Sequence, residues 1–371
     1  MLVGVPKEIK NHEYRVGLTP DSVHEYVAHG HQVIVETGAG VGIGAADADY
    51  EAQGATIVAT AKEIFDRADM VVKVKEPQAV ERAMLRPGQI LYTYLHLAPD
   101  PEQTKDLVAS GATCIAYETV TDAKGGLPLL TPMSQVAGRM SIQAGATCLE
   151  KSHGGEGMLL GGVPGVAPAK VVIIGGGVVG ENAAQMALGL GADVTVLDRN
   201  LEVLARLSAR FGSALKTVFS SKAALTAAVV DADLVVGAVL VKGASAPKLV
   251  TKEMLGQMRD GAVLVDVAID QGGCFETSKA TTHADPTYII DGVVHYCVAN
   301  MPGAVARTST YALNNATLPF GLAIANKGWK QALADDPYLR EGLNVHAGQI
   351  TCEPVARDLG YAYVPAEDVL K

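Results

Sequence analysis

A glycine-rich turn is the most informative pattern of residues in the sequence. Gly175, Gly177 and Gly180 are spaced as G-x-G-x-x-G, after an apolar run at 170–174 and before a helical segment. The first glycine permits a tight turn, the second lets the backbone approach a pyrophosphate, and the third allows close helix–strand packing. Free N–H groups at the start of the helix attract phosphate. The pattern predicts a dinucleotide site, with a turn that binds no ligand as the simpler alternative.

An acidic residue at the end of the next predicted strand supports the dinucleotide prediction. Asp198 stands 18 residues after Gly180, close to the spacing of roughly 20 residues that places a carboxylate on the adenosine ribose. Its oxygens can accept hydrogen bonds from the ribose hydroxyls, and its charge repels a 2′-phosphate. We therefore expect NAD as the cofactor, although neighbouring Arg199 leaves some use of NADP open.

Four charged or ionisable side chains near predicted strand ends are candidates for handling a substrate, because α/β sheets bind ligands at the carboxyl ends of their strands. The guanidinium of Arg15 suits a carboxylate, and Lys75 ends the run VVKVK. His96 follows ILYTYL and exchanges protons near neutral pH, while Asp270 closes LVDVAID and could orient water or accept a proton. Taken singly, each has an ordinary alternative: a surface cation, a polar residue at a strand end, or a turn-forming aspartate.

Strand and helix patterns alternate on both sides of a Gly/Pro-rich segment at 153–168, which we expect to connect two domains. This alternation is typical of parallel sheets with helical crossovers. The predicted strands lie at 2–5, 32–36, 70–73, 89–94, 113–117, 170–174, 193–197, 234–237 and 262–267. The predicted helices lie at 20–28, 61–67, 77–85, 101–110, 133–150 and 311–334.

The expected fold class is therefore α/β, with two Rossmann-like doubly wound parallel-sheet domains. The NAD-binding domain, residues 134–306, is expected to be inserted into a discontinuous substrate domain made of residues 1–133 and 307–371. A chain of 371 residues with 49% hydrophobic residues supports two cores.

Charge and cysteine usage exclude several classes of partner. The net charge of −10 disfavours nucleic acid and anionic membranes. No run approaches the roughly 18–20 apolar residues that span a bilayer, and the amino terminus becomes charged at Lys7 without a signal core. The five cysteines show no zinc spacing and are interpreted as reduced thiols. We expect a cytoplasmic protein that acts on small molecules.

Six segments, in the same order along the chain, resemble the alanine dehydrogenase and nicotinamide nucleotide transhydrogenase alpha-subunit family. They cover the chain from residue 1 to about residue 365, and the late segment is the most specific because a plain Rossmann domain has no need of it. The segments are GVPKEIKNHEYRVGLTP, VVKVKEP, YTYLHLA, GGGVVG, VLVDVAIDQGG and YCVANMPGAVARTST.

The resemblance implies roles for individual residues. Arg15 and Lys75 match substrate-binding positions, and His96 and Asp270 match the acid/base pair. Lys279 matches a cofactor position where the family often has Arg, and Lys327 replaces a His that could help hold a divalent ion, so no metal is expected. The other implied cofactor contacts are Ser134, Val178, Asp198, Ser220, Val239, Leu240, Val267, Ala268, Ile269, Asp270, Val298, Ala299, Asn300 and Met301.

The activity that the resemblance implies is reversible oxidative deamination, in which L-alanine, NAD and water give pyruvate, ammonium and NADH. It also implies a homo-hexamer. Three other functions stay open: the soluble NAD-binding component of a transhydrogenase with membrane-anchored partners, a related dehydrogenase for another amino acid such as lysine or saccharopine, and a purely structural NAD-binding module.

Overall fold

The computed structural model describes residues 1–239 and 246–371. The chain forms two compact units, of which the first comprises Met1–Met133 and Val305–Lys371 and the second comprises Ser134–Ala304. The domain division expected from the sequence, with boundaries at 134 and 306, remains a prediction. Among the described residues, no helix combines the length and apolar character needed to cross a bilayer.

The strands, numbered along the chain, are β1 (Leu2–Val5), β2 (Gln32–Glu36), β3 (Thr56–Val58), β4 (Met70–Val72), β5 (Ile90–Thr93), β6 (Thr113–Ala116), β7 (Lys170–Ile174), β8 (Asp193–Asp198), β9 (Leu215–Phe219), β10 (Leu234–Gly237), β11 (Val263–Asp266), β12 (Thr287–Ile290), β13 (Val293–Tyr296), β14 (Leu343–His346) and β15 (Gln349–Ile350).

The α-helices are α1 (Pro20–Ala28), α2 (Asp47–Ala52), α3 (Ala61–Arg67), α4 (Ala79–Arg82), α5 (Pro101–Ser110), α6 (Thr131–Cys148), α7 (Val178–Gly189), α8 (Leu201–Phe211), α9 (Lys222–Val230), α10 (Lys252–Leu255), α11 (Ala306–Lys327), α12 (Trp329–Asp335), α13 (Pro337–Arg340), α14 (Glu353–Leu359) and α15 (Ala366–Val369). Several begin at residues suited to that place. Thr19 and Asp100 accept backbone hydrogen bonds as N-caps, and each is followed by a proline in the first turn.

The sheet of the first unit has the order β15-β14-β6-β5-β4-β1-β2-β3. From β6 to β3 its neighbouring strands are parallel. The chain runs from β1 to β3 in one direction and then returns to the other side of β1 with β4. The strand order therefore reverses between β1 and β4, and α/β sheets bind ligands at such a reversal.

The sheet of the second unit has the order β12-β13-β11-β10-β7-β8-β9, in which the strands from β13 to β9 are parallel. Its order reverses between β7 and β10. Alternate residues of β7 enter two different core clusters, with Val171 and Ile173 in one and Val172 and Ile174 in the other. Both faces of this sheet are buried, which explains the continuous apolar run in the sequence.

The prediction of two doubly wound α/β units with parallel sheets is confirmed, and the structure adds antiparallel strands at the edges of both sheets. Strand β12 pairs antiparallel with β13, and β14 pairs antiparallel with both β6 and β15. The hairpins turn at Asp291-Gly292 and at Ala347-Gly348, and all four residues have positive φ angles. Two-residue turns of this kind join antiparallel strands because their twist matches that of the strands.

Two predictions are wrong: the role of segment 153–168 as a connector and the bounds of the helix at 311–334. Segment 153–168 does not connect the units, since it packs within the second unit. Leu160 lies in the core of that unit, and the amide of Glu156 donates a hydrogen bond to the carbonyl of Gly261. The unit boundary instead falls within α6. The helix expected at 311–334 begins earlier, and it is broken at Gly328, whose φ of 78° ends α11 before α12 begins.

Candidate active site

Arg15 is a buried cation held by a neighbouring carboxylate. It lies in the segment after β1 and is only 3% exposed. Its Nε and Nη2 donate to the two oxygens of Glu13, both at 2.6 Å, and its Nη1 lies 3.1 Å from Sδ of Met133. Burial acts to lower the pKa of Arg15, but the hydrogen bonds to Glu13 outweigh it and the pKa is raised. This pair fixes the plane of the guanidinium in a charged state.

Lys75 lies three residues beyond the end of β4, and its backbone is held from both sides. Its N–H donates to Oε1 of Glu8 at 3.3 Å, and its carbonyl accepts from Oγ1 of Thr93 at 3.0 Å. The preceding amide, of Val74, donates to the same Glu8 oxygen at 2.7 Å. The side chain of Lys75 is half-buried. Among the described residues its ammonium has no ion pair within 4.0 Å.

The neighbouring lysine is placed quite differently. Lys73 is completely buried, and its Nζ donates to Glu8 at 3.0 Å and to Glu81 at 2.7 Å. Burial acts to lower the pKa of Lys73, but the two carboxylates outweigh it and the pKa is raised. Burial also raises the pKa of Glu8. Lys73 is therefore a structural cation, whereas Lys75 has no such carboxylate within 4.0 Å of its ammonium in the part of the chain that the structure describes.

His96 lies three residues beyond β5 in an unusual backbone conformation. Its φ is 51°, in the left-handed region that a side chain rarely adopts. The carboxylate of Glu118 accepts the amide of His96 at 2.6 Å and that of Leu95 at 3.2 Å. The imidazole is exposed, stacks on the ring of Tyr94 with centroids 5.8 Å apart, and lies 4.0 Å from Glu118. Glu118 thus stabilises a strained residue at the strand end.

Arg15, Lys75 and His96 lie along one edge of the first sheet. They follow β1, β4 and β5, which are adjacent and parallel, so their carboxyl ends meet at the strand-order reversal. Tyr94 links two of them, because it stacks on His96 and also interacts electrostatically with Arg15. Burial raises the pKa of Tyr94, whose hydroxyl donates to the carbonyl of Leu129 at 2.5 Å. This edge can hold an anion and transfer a proton.

Asp270 lies in the second unit, on the 3₁₀ turn Val267–Gln271 that follows β11, and its side chain is exposed. The turn is organised by Asp266, a fully buried aspartate that accepts the amides of Ala268 at 3.0 Å and Cys274 at 2.9 Å. Ser278 also donates to Asp266. Burial raises the pKa of Asp266, with the hydrogen bonds opposing that effect. The carboxylate of Asp270 is thereby presented to solvent at the carboxyl edge of the second sheet.

The glycine-rich turn joins β7 to α7, and its three glycines have different surroundings. Gly175 has φ 101°, and a Cβ there would lie 2.6 Å from the carbonyl oxygen of Ala238. A Cβ on Gly180 would lie 1.8 Å from the carbonyl oxygen of Gly175. A Cβ on Gly177, at the N-cap of α7, would meet no atom within 4 Å. The packing therefore requires Gly175 and Gly180, whereas the space beside Gly177 is open to a ligand.

Asp198 ends β8 beside this turn. One of its oxygens accepts the amide of Gly176 at 2.7 Å, and the other accepts that of Asn200 at 2.8 Å. The side chain is half-buried and borders an open depression formed with residues 199–202. Each carboxylate oxygen retains a lone pair, so the group can accept hydroxyl donors as well. This arrangement, together with the open space at Gly177, fits an adenosine diphosphate moiety.

Most other predicted cofactor contacts also follow strands of the second sheet. Val178 begins α7, Ser220 follows β9, Val239 follows β10, residues 267–270 follow β11, and residues 298–301 follow β13. Because these strands are parallel, the residues share one edge of the sheet. Leu240 lies outside the described residues.

Two predicted cofactor contacts lie elsewhere in the second unit. Ser134 is on α6, one turn before Gly138, and a Cβ on Gly138 would lie 2.2 Å from the carbonyl oxygen of Val179. This close packing brings α6 to the start of α7. Lys279 is an exposed residue of an irregular segment, where its amide donates to the hydroxyl of Tyr288 at 2.8 Å.

Four carboxylates that support these side chains were not found by sequence reasoning: Glu8, Glu13, Glu118 and Asp266. An isolated Glu in a sequence reads as a solvated surface charge, since charged residues are almost never fully buried unless paired. The alternation of acids and bases in PKEIKNHEYR was the available signal for Glu8 and Glu13. No comparable pattern surrounds Glu118.

The chain has two doubly wound α/β units. One carries a dinucleotide turn, and the other carries ionisable side chains at its strand ends. These features define an oxidoreductase that uses a nicotinamide dinucleotide and small-molecule substrates. Comparison with known proteins agrees with this class. Residues 4–137 match the family model described as alanine dehydrogenase/PNT, N-terminal domain, and residues 141–353 match that of the C-terminal domain.

Relatives resemble the chain over its whole length. Alanine dehydrogenase of Halomonas elongata is 63% identical over 370 residues, covering 100% of both chains. A solved structure of L-alanine dehydrogenase has 54% identity and a TM-score of 0.94, covering 97% of this chain and 99% of that one. A transhydrogenase structure from Sinorhizobium meliloti has 25% identity and a TM-score of 0.81, covering 95% of this chain and 99% of the other. The chain belongs to the alanine dehydrogenase/PNT family.

Proposed function

We propose that the chain catalyses the reversible oxidative deamination of L-alanine with NAD, giving pyruvate, ammonium and NADH. The observation that carries the proposal is the group of Arg15, Lys75 and His96 at the strand-order reversal of the first sheet, in a chain 63% identical to an alanine dehydrogenase over its full length. Two cations and an imidazole at one sheet edge suit a small carboxylate that exchanges protons.

In the proposed reaction, Arg15 and Lys75 bind the substrate carboxylate. The guanidinium of Arg15 is already oriented by Glu13, so little conformational entropy is lost when the carboxylate binds. Lys75 is the more adaptable of the two cations, because its backbone is fixed while its side chain is a flexible point charge. It is the residue we assign to the carboxylate or to the carbonyl oxygen of pyruvate.

His96 and Asp270 carry the proton transfers of the proposed reaction. The ammonium group of the substrate first loses a proton to one of these residues. NAD, when bound, would accept the hydride from Cα, which leaves the substrate as a protonated imine. A water molecule then adds to the imine carbon, with Asp270 or His96 taking a proton from the water oxygen. The nitrogen of the resulting carbinolamine is then protonated and its hydroxyl gives up a proton to the same pair of residues, so that the carbon–nitrogen bond breaks and ammonia leaves as the carbonyl forms. The carboxylate of Glu118 fixes the backbone from which the imidazole of His96 extends for this exchange.

NAD, rather than NADP, is the dinucleotide that these residues favour. The half-buried carboxylate of Asp198 already accepts two backbone amides and would repel a further phosphate. The open space at Gly177 and the start of α7 would receive the pyrophosphate. The contacts implied for Ser134, Ser220, Val239, Lys279 and residues 298–301 belong to the same proposal.

We further propose a cytoplasmic homo-hexamer that requires no metal and contacts neither nucleic acid nor membrane. All five cysteines are free, and Cys114, Cys148, Cys274 and Cys297 are buried, which is typical of proteins from reducing compartments. The hexamer rests on the family resemblance alone.

A spectrophotometric assay tests this proposal. The purified protein is offered NAD or NADP with a panel of amino acids that includes L-alanine, L-serine, glycine and L-lysine, and NADH with pyruvate and ammonium in reverse. We expect NADH to form fastest with L-alanine and to be consumed only when both pyruvate and ammonium are present. Tight NADH binding without turnover of any amino acid would instead favour the transhydrogenase component. A higher rate with lysine would favour the related dehydrogenase.

A further inference from the structure

Glu8 is a buried carboxylate whose hydrogen bonds go to one short segment of the chain, residues 73–75, where it accepts from both a side chain and the backbone. It lies in the segment after β1 and is 7% exposed. Its Oε1 accepts the amides of Val74 and Lys75, and its Oε2 accepts the ammonium of Lys73 at 3.0 Å. The same carboxylate therefore neutralises a buried charge and holds the backbone from which the Lys75 side chain extends.

Glu81 provides an internal comparison, because it is buried against the same ammonium. Its Oε1 accepts from Lys73 at 2.7 Å, while its Oε2 accepts the amide of Gln78 at 2.8 Å. Both glutamates thus use one oxygen on Lys73 and the other on backbone amides. Only the backbone segment differs: residues 74 and 75 for Glu8, and residue 78, at the start of α4, for Glu81.

We propose that Glu8 is a positioning residue for substrate binding, because its carboxylate fixes the backbone of Lys75 at the strand-order reversal of the first sheet. This inference rests on the proposed function, in which Lys75 binds the substrate. The ammonium of Lys73 uses the second oxygen of Glu8, which leaves the first oxygen to the amides of Val74 and Lys75. Glu81 serves the stability of the first unit rather than the substrate site.

Replacing each glutamate by glutamine separates these two roles. A carboxamide has only one acceptor oxygen, and the buried ammonium of Lys73 takes it because a charged donor binds more strongly than an amide. In Glu8→Gln the amides of Val74 and Lys75 then lose their acceptor, whereas in Glu81→Gln only the amide of Gln78 does. The two variants are matched in charge, burial and shape.

The first measurements are the KM for pyruvate, the Kd for NADH and the melting temperature of both variants. We expect Glu8→Gln to raise the KM for pyruvate on the order of ten-fold, the effect of one lost buried hydrogen bond, with the Kd for NADH unchanged. Glu81→Gln should lower the melting temperature about as much as Glu8→Gln does, but it should leave the KM for pyruvate within about two-fold of the wild-type value. Equal changes of KM in the two variants would overturn the proposal.

Amide hydrogen exchange gives a readout that does not depend on turnover. Exchange at Val74 and Lys75 should become faster in Glu8→Gln and remain at the wild-type rate in Glu81→Gln, where the amide of Gln78 should become faster instead. If the wild type turns over no amino acid, the proposed function fails, whereas unchanged exchange at Val74 and Lys75 in Glu8→Gln rejects the positioning role itself.

A triple variant keeps the proposal testable if Glu8→Gln folds poorly. In Glu8→Gln/Lys73→Met/Glu81→Gln the ammonium and both of its carboxylates are replaced by neutral groups, so no buried charge is left without its partner and the glutamine oxygen at position 8 is available to the amides of Val74 and Lys75. We expect exchange at these amides and the KM for pyruvate to lie near the wild-type values. A KM about ten-fold above that of the wild type, in a folded triple variant, contradicts the proposal.

Discussion

Carboxylates hold the backbone at the carboxyl edges of both sheets, but the two edges differ in the groups that they present. The first edge presents ionisable side chains: Glu13 orients the guanidinium of Arg15, while Glu8 and Glu118 hold the backbone amides of Lys75 and His96. The second edge is organised around a glycine turn where a Cβ on Gly177 would meet nothing.

The difference corresponds to what each edge is proposed to bind. A small carboxylate offers few atoms, so the side chains that bind it must be oriented in advance. A pyrophosphate is bound largely by backbone N–H groups, and a side chain at the turn would exclude it. Binding of the small carboxylate should therefore depend on the charges of the first edge, and binding of the dinucleotide on the open space at the glycine turn of the second.

The largest expected effect is the loss of the proton-transferring groups. His96→Ala and Asp270→Asn should each lower kcat about 10²–10⁴-fold, the contribution of a positioned general acid or base. Steady-state kinetics in both directions measure this, with the Kd for NADH as a control that should not change. A kcat near that of the wild type in either variant rejects the role assigned to that residue.

Neutralising Glu13 should destabilise the protein, because it leaves the buried guanidinium of Arg15 without its bidentate partner. We expect Glu13→Gln to lower the free energy of unfolding by about 3–5 kcal/mol, the usual effect of removing one partner of a buried ion pair, measured by denaturant unfolding. The control is Asp66→Asn in the exposed pair Lys62–Asp66, which should cost less than about 1 kcal/mol. Similar losses in both variants would show that Arg15 does not depend on Glu13.

Adding one carbon atom to the turn tests the second edge. In Gly177→Ala the new Cβ meets no protein atom, so we expect an unchanged melting temperature and a Kd for NADH raised about ten-fold or more. In Gly180→Ala the Cβ would overlap the carbonyl oxygen of Gly175, so the melting temperature should fall. Normal NADH binding by Gly177→Ala would mean that no phosphate approaches this turn.

The smallest expected effect concerns the choice of dinucleotide. Asp198→Asn keeps an oxygen for the amide of Gly176 but removes the charge that repels a 2′-phosphate. The ratio of kcat/KM for NADPH to that for NADH should rise about ten-fold, equivalent to about 1.4 kcal/mol. A ratio equal to that of the wild type would place the discrimination on another residue.

The fold could be predicted where local patterns and tertiary packing agree. The bounds of β7 and α1 were predicted correctly, because β7 is an uninterrupted apolar run and α1 begins with a capping Thr19 and a proline. The edge hairpins were missed, since β15 is only two residues long and strands this short carry no periodicity.

The candidate site was predictable in part. Residues that bear recognisable chemistry, such as His96 or the glycines of the turn, can be found from their place after a strand. Their supporting partners cannot, because pairing across distant segments is a property of the fold: Glu118 meets the amide of His96 over 22 residues, and Lys73 meets Glu8 over 65. Burial of an ionised side chain is decided by such partners rather than by its own sequence neighbours.

The central claim is that the hydrogen on Cα of L-alanine is transferred to NAD, and isotope transfer tests it most directly. The protein is incubated with NAD and either L-alanine deuterated at Cα or L-alanine deuterated only at the methyl group, and the NADH is analysed by mass spectrometry. We predict one deuterium per NADH from the first substrate and none from the second. NADH without deuterium from the Cα-labelled substrate, or no NADH at all, would contradict this account.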